Sequence, residues 1–247
     1  MRTSSVAIAV LVAHCAFGLL ACSESDRNRL KARLGSDKAQ FSIGQRAEAG
    51  TDGNADYELA AEWYRKASAY PDAQFALSQL IARNEVEPAR EGELESLLLA
   101  AAEENHTLAQ VALGELLLQA GPERETEALG WFDRAANAGS PEAQFHLGAR
   151  SLQGSGVDAD PAEALRWLGL AAEKGHPAAQ RLLGDVYAEG RGVIADPVQS
   201  TEWYRAAAEQ GDVSAQVALG RRYAEGAGVD QDLVEALTDG LHVACEI

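Results

Sequence analysis

Trp131, Trp167 and Trp203 stand 36 residues apart, and in each case Ala-Ala follows after three intervening residues. A beat of this length restricts the fold of a chain more than any other feature here. One unit of about three dozen residues cannot bury its own apolar stripe, so successive units must shield one another in a row through contacts that are local in sequence. The match extends past the tryptophans. Trp131-Phe-Asp-Arg-Ala-Ala-Asn-Ala-Gly139 aligns with Trp167-Leu-Gly-Leu-Ala-Ala-Glu-Lys-Gly175 and with Trp203-Tyr-Arg-Ala-Ala-Ala-Glu-Gln-Gly211.

A second marker, Ala-Gln leading into Leu-Gly, occurs at Ala143-Gln144, Ala179-Gln180 and Ala215-Gln216. In that frame weaker copies emerge at Ala109-Gln110, Ala73-Gln74 and Ala39-Gln40, and the spacings along the chain run 34, 36, 34, 36 and 36 residues. Two intervals are therefore two residues short. The sequence places one shortening at Tyr70-Pro71 and the other near Gly121-Pro122. The tryptophan position reads Trp63 in an early copy and Leu97 in the next.

Each unit reads as two helices. Ala135, Ala136, Ala171, Ala172, Ala207 and Ala208 are small enough to let neighbouring helices approach closely, with Trp and Leu filling the wider gaps. Trp131, Trp167 and Trp203, with Phe132, Leu168 and Tyr204 after them, are expected to be core. Gly139, Gly175 and Gly211 suit the left-handed position that stops a helix, and Ser140-Pro141 or His176-Pro177 then starts the next one at once. Asp160-Pro161 and Asp196-Pro197 read as N-caps, with Glu163 and Gln199 three residues on as capping-box partners. β-branched runs are scarce, so strands have little to be built from.

This pattern resembles the Sel1-like repeat family, a relative of the tetratricopeptide repeats, over nearly all of residues 36–246. The last three copies carry the family's loop at Gly154-x-Gly156-Val157, Gly190-x-Gly192-Val193 and Gly226-x-Gly228-Val229, whereas the first three lack it. The resemblance implies an all-α fold, a right-handed α-solenoid of antiparallel helix pairs. It comprises degenerate repeats over 36–140, clear repeats over 141–230 and a capping helix over 231–245. A short polar helix from about Asp26 to Leu34 caps the other end.

The first residues are read as export rather than structure. Arg2 precedes an apolar run from Val6 to Leu20, too short for the roughly 20 residues of a spanning helix and suited to a signal peptide over residues 1–21. Its end, Leu19-Leu20-Ala21-Cys22, resembles a bacterial lipobox, which makes Cys22 the lipidated first residue of the mature chain, and Ser23 after it implies the outer membrane. Several acyl chains hold a protein on a membrane far better than one. Cys15 would leave with the leader, so Cys245 is the one thiol expected in the folded part and no internal disulfide forms.

With 38 acidic against 21 basic residues the chain carries a formal charge of −17, one unit more negative once Arg2 is removed. No cluster or stripe of Lys and Arg is read from the sequence, so nucleic acid is not expected as a partner. The Gly-x-Gly pairs are loops that recur with the repeat and lack the third glycine or lysine of a phosphate cradle. His106 and His176 share one inter-helix turn position, where a polar cap is expected. His146 and His242 are read as having no acidic or histidine partner at helical ligand spacing. No cofactor and no metal are therefore expected. Carboxylate pairs such as Glu103-Glu104 and Glu123 with Glu125 are assigned to solvated faces.

The resemblance implies a non-enzymatic scaffold that binds a protein or peptide on a concave face formed mainly by the first helix of each pair. Polar residues flanking the tryptophans, Arg65, Arg134, Arg166, Glu202 and Arg205, are the candidate contacts. Lipid at Cys22 would hold the scaffold to the envelope, facing the periplasm. Two other readings stay open. One is an accessory subunit of an envelope assembly or export complex. The other is a weak hydrolase like the β-lactam-binding relatives, although none of the four lysines has the serine of a Ser-x-x-Lys motif three residues before it, and the relatives' paired cysteines are missing.

Overall fold

The computed structural model describes residues 24–228, apart from 52, 155, 157 and 158. The leader, Cys22, the helix expected over 231–245, His242 and Cys245 lie outside the described residues. Twelve α-helices and no strand occur among them: α1 (Glu24–Arg33), α2 (Asp37–Glu48), α3 (Tyr57–Lys66), α4 (Pro71–Ala82), α5 (Glu93–Glu103), α6 (Thr107–Ala120), α7 (Glu125–Asn137), α8 (Pro141–Gln153), α9 (Pro161–Glu173), α10 (Pro177–Glu189), α11 (Pro197–Ala208) and α12 (Val213–Glu225). The short polar first helix is present as α1. The chain divides into two compact units at Ala109/Gln110. Within each, the extensive packing is between helices consecutive in sequence, as stacked helix pairs require.

Helix starts follow the residues. Asp160 Oδ1 accepts from the backbone N–H groups of Ala162 and Glu163, and Asp196 Oδ1 does the same for Val198 and Gln199. The reciprocal half of the expected capping box is absent. The Asp160 N–H already donates to Ser151 O and the Asp196 N–H to Tyr187 O, both at 2.9 Å. Glu163 instead accepts from Trp167 Nε1 at 3.2 Å. At the turns Ser140 Oγ, His106 Nδ1, His176 Nδ1 and Asp212 Oδ1 each accept the N–H three residues on, so the two histidines are helix caps as expected. Gly139, Gly175 and Gly211 take φ of 94°, 84° and 86°, a conformation that a side chain would strain.

The two markers have one structural meaning each. The glutamine of Ala-Gln turns back to cap the end of the helix before it. Gln40, Gln144, Gln180 and Gln216 donate from Nε2 to the carbonyl eight residues earlier, Ala32, Ala136, Ala172 and Ala208, at 3.1–3.3 Å. These carbonyls lie in the last turn of a helix, where each also accepts the backbone N–H of the glycine that follows, Gly35, Gly139, Gly175 or Gly211, and each glutamine bond adds about 1 kcal/mol. Gln74 reaches only six residues back, to Ser68 O at 2.6 Å, which locates the first two-residue shortening in the turn before Tyr70-Pro71. At the second, α6 runs to Ala120 and a single 3-10 turn, Pro122–Arg124, leads straight into α7.

The glycine of Leu-Gly receives the residue after the next tryptophan position. A Cβ on Gly114 would lie 2.8 Å from Phe132 Cε1, on Gly148 2.7 Å from Leu168 Cγ, and on Gly184 2.6 Å from Tyr204 Cδ1; Gly44 is pressed in the same way against Tyr64. The centre of the core is therefore not the tryptophan but its neighbour. Tyr64, Phe132 and Leu168 are at most 1% exposed and Tyr204 only 5%, while Trp63, Trp131 and Trp203 are half-buried. Only Trp167 fulfils the expectation of a buried ring, at 4%. Burying such a side chain contributes about 1.5–3 kcal/mol. In the first unit Tyr64 packs with Ala60, Ala61, Leu77, Leu80 and Ile81. In the second, separate clusters form around Leu168 with Leu183 and around Tyr204 with Leu219 and Tyr223.

Candidate functional site

The first unit holds a cleft of about 460 Å³ between α1, α2, the α2–α3 loop and α3. Its lining includes Arg29 and Arg33 from α1, Arg46 from α2, Gly50, Gly53, Asn54 and Asp56 from the loop, and Leu59 and Trp63 from α3. Arg29 and Arg33 are four residues apart and so share one helical face. Arg33 and Arg46 lie in the last turns of their helices, where cations are favoured. Asp56 is committed in part to its own helix, since Oδ1 accepts from Leu59 N at 2.9 Å. Three arginines thus line one cavity of a strongly acidic chain. Contrary to the expectation of no basic cluster, Arg27, Arg29, Lys31 and Arg33 already put four cations within seven residues of the chain; the fold adds Arg46 from the next helix.

The five residues proposed from sequence are not brought into one site. Arg65 holds α3 against the segment before α5: Nε meets Glu93 Oε1 at 3.3 Å and Nη2 donates to Glu87 O at 3.2 Å. Burial tends to raise the Glu93 pKa, but Arg65, the Ala89 N–H and Arg90 outweigh it, leaving the carboxyl below its usual value. Arg205 ties α11 to α12 through Tyr223 OH at 2.8 Å. Arg134 and Arg166 are exposed and lie over tryptophan, 4.7 Å from the Trp131 centroid and 3.8 Å from that of Trp167. Lys66 covers Trp63 in the same way at 4.2 Å, a pairing typically worth about 0.5–1 kcal/mol at exposed positions. Glu202 is exposed.

A third feature runs along the second helices of the pairs. In four copies the residue after Ala-Gln meets the cap of the next such helix: Phe41 with Tyr70 and Phe75 with His106 in the first unit, Phe145 with His176 and Arg181 with Asp212 at 3.3 Å in the second. Because His176 Nδ1 accepts from Ala179 N, the ring proton sits on Nε2, which donates to Glu142 Oε2 at 2.9 Å. His146, expected to lack an acidic neighbour, has Glu142 four residues before it on α8 and Glu115 of α6 across from it. The spacing was present in the sequence; Glu115 is supplied by the fold. Glu125, assigned to a solvated face, is tucked against Arg150, whereas Glu103 and Glu104 are exposed as expected.

Comparison with known proteins aligns these features with one family. The Sel1 repeat matches at residues 37–69, 107–140, 141–176, 177–212 and 213–238, well over half of the chain. A Sel1 repeat protein from Oxalobacter formigenes superposes with a TM-score of 0.76 at 31% identity, covering 87% of this chain and 63% of that one. A protective antigen of uropathogenic Escherichia coli with an SLR fold gives 0.83 at 28% identity, covering 91% of this chain and 49% of that one. The chain thus spans less than two thirds of either structure. An immunity protein from Pseudomonas aeruginosa, at 17% identity and a TM-score of 0.53 over 85% of this chain and 82% of that one, shares the fold. No curated protein matches the sequence.

Proposed function

The chain belongs to the Sel1 repeat family, a fold associated in general with protein–protein interaction, and from that premise we propose that it is a non-catalytic scaffold held at the bacterial envelope by lipid on Cys22. Its principal contact is the cleft of the first unit, and its ligand is an acidic segment of a partner protein. The observation that carries this reading is the convergence of Arg29, Arg33 and Arg46 beside Trp63 in a chain of net charge −17. Carboxylates would meet paired guanidinium forks there, and the tryptophan and Leu59 offer apolar surface to the segment's stem. Within the second unit, Arg134 and Arg166, each lying over a tryptophan, offer similar chemistry of their own.

The test is a photo-crosslinking side chain placed at Leu59, 41% exposed at the cleft, in cells with an intact envelope. The expected result is a discrete adduct whose crosslinked peptide is rich in Asp and Glu and whose yield falls at least tenfold with Arg33→Glu. An adduct indifferent to that reversal, or none at all, would remove the cleft as the docking site.

A further inference from the structure

We propose that Glu115, Glu142 and His146 form a divalent transition-metal site, with zinc the best fit, on the second helices of adjacent pairs. His146 Nε2 lies 3.5 Å from Glu115 Oε1 and 3.6 Å from Glu142 Oε1, and one ligand atom from each of the three residues falls within 4.8 Å of the other two. These separations are too long for N–H···O hydrogen bonds, which run to about 3.2 Å. They fit the edge of a coordination tetrahedron: ligands about 2.0–2.1 Å from zinc stand roughly 3.3–3.4 Å apart. His146 Nε2 is shielded from solvent and makes no hydrogen bond, an arrangement with a cost unless something accepts its lone pair.

The surroundings hold the three groups in position. The His146 ring stacks on Phe132 with centroids 4.4 Å apart and planes within 13°, which sets the direction of Nε2. His176 Nε2 donates to the far oxygen of Glu142 and leaves Oε1 turned toward His146. His176 is itself fixed by stacking on Phe145 and by its cap to Ala179. A ligating carboxylate oriented by an outer hydrogen bond is the usual construction of a protein metal site. One nitrogen and two oxygens suit zinc better than calcium or magnesium, which prefer all-oxygen shells, and the fourth position remains for water or for a partner's side chain. An ion there would bond α6 to α8 across one repeat.

Titration of the chelator-treated full chain with Zn²⁺, followed calorimetrically, tests the site. One high-affinity equivalent is expected. Its affinity should fall at least tenfold in Glu115→Gln, which keeps the side-chain shape, and about tenfold or more in His176→Gln, which removes the outer bond to Glu142 together with the cap to Ala179 and the stack on Phe145. Circular dichroism would verify that helix content is unchanged. Co²⁺ bound in place of zinc should give visible bands with the intensity of a four- or five-coordinate nitrogen and oxygen site. Absence of Zn²⁺ binding, equal affinity in Glu115→Gln, or a cobalt spectrum dominated by thiolate charge transfer would overturn the assignment.

Discussion

Replacing Gly184 by alanine should destabilise the second unit, although the same change elsewhere in a helix stabilises. Alanine is intrinsically better than glycine in a helix by about 1 kcal/mol. At Gly184 the new Cβ would stand 2.6 Å from Tyr204 Cδ1 and 2.7 Å from Cε1. Ordinary carbon contacts are about 3.5–4.0 Å, so the ring must withdraw by about 1 Å. That ring is 5% exposed, and its hydroxyl donates to Asp185 Oδ1 at 2.7 Å, so it cannot retreat without loosening the bond and the packing. Overpacking of this kind costs about 1–3 kcal/mol, and the strained hydrogen bond up to about 1 more. Set against the alanine gain of about 1 kcal/mol, the net loss is up to about 3 kcal/mol, with about 1.5 kcal/mol at the centre of that range. Gly169 on α9 provides the control, because nothing lies within 4 Å of its Cβ direction, and Gly169→Ala should gain about 0.5–1 kcal/mol. Urea unfolding followed by far-ultraviolet circular dichroism reads both variants in the same unit. A Gly184→Ala protein as stable as the native chain, or more so, would refute the view that these glycines exist to admit the next repeat's side chain.

Three further outcomes are expected. Trp167→Ala should cost about 3 kcal/mol or more, as for other buried aromatic truncations, and clearly more than Trp131→Ala at the half-buried equivalent; equal losses in denaturant titrations would contradict the different burial of the two rings. Glu93, whose pKa is lowered on folding, contributes stability that is complete above its unfolded value near 4.5 and is lost as pH falls through the folded value; Glu93→Gln should therefore flatten the acid side of the stability profile, and an unchanged slope below pH 4.5 would count against the Arg65 pairing. Cys22→Ala should move the protein from the membrane fraction to the soluble periplasm or leave it unprocessed, and retention in the membrane fraction would end the lipid-anchor proposal.

The helix pairs were legible because the features that start and stop them are local. Asp160, Asp196 and Asp212 cap helices through N–H groups two or three residues away, and such bonds depend on little beyond their own turn. The period, too, lies open in the chain, down to the two-residue contraction that makes Gln74 reach back six residues instead of eight. What periodicity cannot reveal is which side of a recurring residue faces inward. Trp131 and Phe132 recur together with the same spacing, yet only Phe132 meets Gly114 and is sealed from water. The convergence of Arg33 with Arg46, and of Glu115 with His146, likewise arises from how one helix lies on another. Hydrogen bonding along the backbone is specified by neighbours in sequence, whereas burial and clustering of charge depend on crossing and approach between helices, which only the packed structure sets.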